Sequence, residues 1–200
     1  MAATPKNYSA LTTVNGPVDI WLDCGVPGAG AAPTLATDGT PDDVSSPNAE
    51  HAGMLKTGGG VGVTAELQER TSDNLVSPYE IRLLTALMTI TGDMLQFSAV
   101  LLGFITPGAT VDASPPTGKT GITVGSISAV GSSCVYAVWE QKTAGKYFNA
   151  VIYDAYQANG FDLALNRNED GAAEVEFRSL AVGTRATEDQ VGAIWLDNLV

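Results

Sequence analysis

The stretch from Ser133 to Val182, SCVYAVWEQKTAGKYFNAVIYDAYQANGFDLALNRNEDGAAEVEFRSLAV, decides the fold class, because it reads as three or four strands in succession. Its first run, Cys134 to Gln141, is β-branched and aromatic, and the next, Tyr147 to Tyr156, alternates after a turn at Thr143 to Gly145. A short run at Phe161 to Leu165 leads into NRNEDG at Asn166 to Gly171, a concentration of turn-forming residues. Ala173 to Leu180 is the cleanest period-two pattern in the chain: Val175 and Phe177 point one way, and Glu174, Glu176 and Arg178 point the other. One face is built for a core and one for water.

Outward from that stretch the same signals continue. Towards the C-terminus, a turn carrying Glu188 and Asp189 precedes a closing strand at Gly192 to Leu196. Upstream, Ile122 to Ile127 alternates as a strand, and Gly108 to Gly121 reads as a linker. Before it, Asp93 is placed to cap a helix through Met94 to Gly103, with Gly92 ending the preceding strand and Gly103 and Pro107 stopping the helix. Tyr79 to Thr91 (YEIRLLTALMTIT) is read as a long strand and not a helix, because it alternates and is rich in threonine; it holds more apolar residues than one buried face requires. Val61 to Arg70 is a half-wet strand, with Val61, Val63, Ala65 and Leu67 on one face and Thr64, Glu66, Gln68 and Arg70 on the other. Gly25 to Gly60 is rich in glycine and proline and poor in large apolar residues, which predicts a long arm or loop that is either disordered or ordered by a partner. Val18 to Leu22 is a short strand at a sheet edge, where Pro17 is tolerated, after a lead-in of residues 1–16.

These elements make one domain over residues 1–200, mainly β, with one α-helix and a long arm at 25–60. The 44% hydrophobic and 16% charged residues suit a globular chain, and 22 glycines with 10 prolines suit many turns. A formal charge of −12 with only ten lysines and arginines argues against a surface that grips phosphates, so nucleic acid is not expected as a tight ligand. Cys24 and Cys134 stand far apart and are expected to be reduced and buried. The N-terminal residues hold no apolar core of signal-peptide length, and the longest apolar stretch, Met94 to Ile105, is too short to span a bilayer, so no membrane insertion is expected.

The chemistry of enzymes is hard to assemble from these residues. His51 is the single histidine and lies in the arm, away from any serine or cysteine elbow, so no nucleophilic triad forms. TGKT at Thr117 to Thr120 resembles the end of a phosphate-binding loop, but Ala113 stands where its first glycine belongs. Glu174 and Glu176 share a strand face, as a glycosidase pair could, and as solvated faces ordinarily do. Trp21, Trp139 and Trp195 could stack on sugars, although packing is their commoner use. No catalytic, cofactor or metal residues are expected, and the chain is not expected to be an enzyme.

Taken in order, GVTAELQER, YEIRLLTALMTIT, DMLQFSAVLLG, KYFNAVIYDAY, FDLALNRNEDGAAEVEFRSLA and the final IWL resemble the tail tube (major tail) proteins of long-tailed bacteriophages over residues 55–197. The resemblance implies a β-sandwich or small barrel with one helix that contributes strands to an inner tube barrel. It also implies rings of six that stack into a tube, assembled in the bacterial host cytoplasm and kept in the virion tail. The implied partners are further copies of the chain, the tape measure, tail-tip and tail-terminator proteins, and DNA that passes without being held. If the two strands at Val61 to Arg70 and Tyr79 to Thr91 form part of the inner wall with Tyr147 to Tyr156 and Ala173 to Leu180, the lumen receives Glu66, Gln68, Glu80, Glu174 and Glu176. Similar folds serve bacterial injection tubes. The reading from a different class is a soluble carbohydrate-binding β-sandwich that uses its tryptophans and long loops for recognition.

Overall fold

The computed structural model describes residues 14–24, 50–56, 59–71, 77, 80–95, 98–125, 132–141, 146–160, 163–164, 172–186 and 189–197. The elements run β1 (Val14–Leu22), β2 (Glu50–Leu55), β3 (Gly60–Arg70), β4 (Glu80–Met94), α1 (Ala99–Ile105), β5 (Ala109–Val111), β6 (Ile122–Val124), β7 (Ser133–Gln141), β8 (Tyr147–Gln157), β9 (Leu163–Ala164), β10 (Ala172–Ser179) and β11 (Gly192–Leu196). The protein is mainly β, as its composition requires. Nine strands form one antiparallel sheet in the order β11-β8-β7-β1-β2-β4-β10-β9, with β3 added on β4. Because β8 also pairs with β10, the pairings leaving β8 through β7, β1, β2, β4 and β10 return to β8.

That closed path gives the core its inside. The alternation in β10 holds: Val175 and Phe177 are fully buried while Glu174 is exposed. Val18, Ile20 and Leu22 of β1, Ile90 and Met94 of β4, Val135 and Ala137 of β7, and Ala150 and Ile152 of β8 face the same interior. Trp139 joins them, its ring edge-on to Phe148 at 5.1 Å. The helix adds Leu101 and Ile105, four residues apart and both buried, to this core. A second, smaller cluster lies on the other side of β1, β7 and β8, where Cys24, Cys134, Tyr136, Val151 and Tyr153 pack with Trp21, Val182, Ala193 and Trp195. Arg185 lies 3.8 Å over the Tyr153 ring and bonds Asp189, which also accepts from the Tyr153 hydroxyl at 2.7 Å. Burial and that bond push the Tyr153 pKa up to about 12, and burial pushes the Cys134 thiol up as well, so both stay protonated near neutrality. Both cysteines are buried, as expected.

Six expectations change. β1 is an interior strand between β7 and β2, not an edge; Pro17 is accommodated because the register with β7 shifts between Val14 and Val18, where no ladder bond is demanded of it. The arm gives up its last part to β2, in which Ala52 and Leu55 are buried and Leu55 pairs with Met94; its residues 25–49 lie outside the described residues. Gly92 does not end β4. It stands within the strand opposite Val175, and a side chain there would meet Leu55 Cδ1 at 2.9 Å and Gly59 Cα at 3.0 Å. The helix therefore starts later, and Ser98 caps it by accepting from the Leu101 N–H at 3.0 Å, while Asp93 still pairs with Glu174 in the sheet. Gly103 lies inside that helix, not at its end, where Val111 and Ile122 approach closely. Finally, the linker of 108–121 holds β5, which forms a separate two-stranded sheet with β6. The turns expected at 143–145 and 166–171 and most of 72–79 lie outside the described residues.

Gly192 marks another close approach, since a Cβ there would sit 2.4 Å from the Val151 carbonyl oxygen and 2.7 Å from Met88 Sδ. The thioether can move and the backbone cannot. Gly192→Ala should therefore cost roughly 1–3 kcal/mol by overpacking, read as a lowered urea midpoint with unchanged slope; an unaltered midpoint would show that β11 shifts freely.

Candidate assembly interface

The hairpin of β3 and β4 extends beyond the core. Its register runs from Gly60 opposite Thr91 to Arg70 opposite Glu80, with one irregularity between Glu66 and Leu67 that leaves Leu84 as the extra residue of β4. Strand pairing fixes which side chains share a face. Val61, Val63, Ala65, Leu67 and Glu69 stand opposite Ile90, Met88, Ala86, Leu83 and Ile81. Near the body this face is core, with Ile90 and Met88 buried. Further out nothing among the described residues covers it: Val63 is 62% exposed, Leu67 57%, Ile81 60%, Leu83 60% and Leu84 52%. The expected half-wet strand is thus wet on both sides beyond Gly62. About eight residues of each strand project from the body, roughly 27 Å at ~3.4 Å per residue.

The opposite face is polar and internally paired. Glu80 accepts from Arg70 at 3.3 Å and from Arg82 at 2.5 Å, and Thr85 donates to Glu66 at 3.4 Å. Gln68 stands opposite Arg82. The same face continues across β4 onto β10, because Thr91 and Thr89 oppose both Gly60 and Gly62 of β3 and Glu176 and Arg178 of β10. Glu66, Gln68, Glu80, Glu174 and Glu176 therefore lie on one side of one continuous three-stranded surface. Glu174 is exposed and stands opposite Asp93, a like-charge pair that favours neither strand. Glu176 is half-buried and accepts from Arg178 at 2.7 Å, which raises the Arg178 pKa further. On this face of β3, β4 and β10 five carboxylates (Glu66, Glu80, Asp93, Glu174 and Glu176) meet three guanidiniums (Arg70, Arg82 and Arg178). The acidic excess is small, and Glu80 adds nothing to it because two arginines hold it.

The alternation in the sequence places the charged residues on one face and Val63 and Leu67 on the other, but does not say which apolar residues of the two strands are left uncovered. The signal that some are is the surplus of apolar residues in Tyr79 to Thr91. The three tryptophans do not form a common platform: Trp139 is in the core, Trp21 tilts against His51 at 4.8 Å, and Trp195 helps cover the outer cluster. Among the described residues no three histidine, cysteine or acidic side chains are grouped to share a metal ion. No helix among them is long and apolar enough to cross a membrane. Compared with protein-family models and with curated proteins, the chain matches none.

Proposed function

We propose that this chain is a structural subunit that closes into rings of six and stacks into a hollow tube of the phage-tail kind, through which a genome passes. The observation that carries the reading is the amphipathic hairpin: Val63, Leu67, Ile81 and Leu83 on one face are more than half exposed, while the other face is polar and self-paired. A ribbon of two strands is marginal alone in water, and exposed apolar patches of this size mark contact surfaces. Both needs are met by further copies. The closed path of strand pairing suits a small barrel as the body of each subunit, with the hairpin as its contribution to an inner wall. Ring closure also removes the free strand edges that would otherwise recruit unwanted partners. No observation favours the carbohydrate-binding reading over this one. Electron microscopy and sedimentation of the purified protein test it: rings or tubes are expected, and a monomer at high concentration with no rings would overturn it.

On this reading the face carrying Glu66, Glu174 and Glu176 lines the channel. Its small acidic excess leaves duplex DNA, one charge per ~1.7 Å of axis, without counterion-releasing contacts. Exchanging these three for lysine turns the face from five carboxylates and three cations to two and six. Tubes of the triple variant should retain duplex DNA in co-sedimentation at low salt and release it at high salt, whereas the original tubes retain little at either. Equal retention by both would remove these residues from the channel.

A further inference from the structure

We infer that the hairpin of one copy seats against the β11 side of the next, with Val63 and Leu67 meeting Ile194 and Leu196, a head-to-tail contact that rests on the assembly reading above. Outside the hairpin, the large apolar residues exposed among the described ones are Val111 and Val124 on the small sheet, Leu180, and Ile194 and Leu196. Of these only the last two lie on a strand with an unpaired edge in the main sheet, since β11 pairs with β8 alone. β3 likewise pairs with β4 alone, along eleven residues without a proline. A long apolar edge of that kind is a template for another strand.

The faces agree as well as the edges. Ile194 and Leu196 stand opposite Ala150 and Phe148, whose side chains belong to the main core, so they carry the apolar inner side of the sheet past its last strand. Val63 and Leu67 carry the same inner side outward from Ile90 and Met88. Bringing β3 of one copy beside β11 of another keeps apolar side chains on one side of a joint sheet, a match that a one-residue slip would destroy. The chain cannot make this contact with itself. Its own β11 starts at the hairpin root, Gly192 against Met88, and leaves Val63 and Leu67 exposed further out. Two unlike patches on one chain give a heterologous contact, which closes rings or propagates, whereas a two-fold pairing of hairpins stops at a dimer.

Cysteine cross-linking decides between them. Leu67→Cys in one preparation and Ile194→Cys in another change exposed side chains, and the native Cys24 and Cys134 are buried and serve as silent controls. A disulfide requires Cα atoms within about 7 Å. Covalent dimers should form under mild oxidation only when the two preparations are mixed and reassembled, and Ala65→Cys with Leu196→Cys, two residues further along each strand in the same antiparallel register, should repeat the result. Dimers from Leu67→Cys alone would show hairpin against hairpin and overturn the inference. Rings in micrographs without mixed dimers from either pair would overturn it while leaving the assembly reading standing; monomers throughout, for the unaltered chain, would remove both.

Discussion

With Leu67 and Leu83 both replaced by glutamate, the chain should remain a folded monomer and lose assembly altogether. The two side chains stand opposite each other on the apolar face of the hairpin and are 57% and 60% exposed in the single chain. Substitution at such positions ordinarily changes stability by no more than about 0.5 kcal/mol, with a further few tenths for like charges facing across a strand pair. In the assembled state the same carboxylates would be taken out of water with no cation opposite them, since the arginines of this hairpin lie on its other face. An uncompensated buried charge costs several kcal/mol, and each ring would contain it six times on the proposed stoichiometry. Circular dichroism melting should therefore coincide with that of the original chain while sedimentation shows monomer only. Gln68→Glu, on the polar face, serves as the control that keeps assembly. Rings formed by the double variant at the usual concentration would show that the apolar face is not the contact.

The largest loss of stability is expected from Phe177→Ala, at roughly 3–5 kcal/mol. Phe177 is fully buried, stands opposite Ile90 of β4 and Gln157 of β8, and stacks on Phe104 of the helix at 5.8 Å. It is thus the side chain through which β10 fastens β4, β8 and α1 to one another at the point where the pairing path closes. For a chain of this size about 2–4 °C of melting temperature is lost per kcal/mol, so a fall of about 10 °C is expected by calorimetry. A change below about 1 kcal/mol would mean that the neighbours collapse into the space. The two variants separate folding from assembly: one should spare the fold and abolish rings, and the other should weaken the fold without touching the contact surface.

How much could be read beforehand differs from element to element. β3, β4, β7, β8, β10 and β11 fall where alternation and β-branched content place them, because period-two patterning is a local property that the strand itself carries. The helix was misplaced by several residues because Asp93 and Ser98 are both competent caps, and pairing with Glu174 and a bond from the Lys56 N–H to the Asp93 carbonyl keep Asp93 in the sheet. β2 escaped notice because its sequence, EHAGML, is short and holds a glycine, and it becomes a strand by lying between β1 and β4.

The sequence by itself determined a mainly β chain, the two-faced character of β10 and the shared face of Glu66, Gln68 and Arg70, since all of these follow from residue type and a period of two. Tertiary structure alone decided which apolar residues are core. Val61 and Val63 are identical in type and two residues apart on one face, yet Val61 packs against the core while Val63 is 62% exposed. Burial is a property of what lies opposite, and past Met88 the described chain offers the hairpin no layer to pack on. The same holds for charge: Glu80 and Glu66 are alike in sequence, but the register places Arg70 and Arg82 on Glu80 and only a threonine on Glu66.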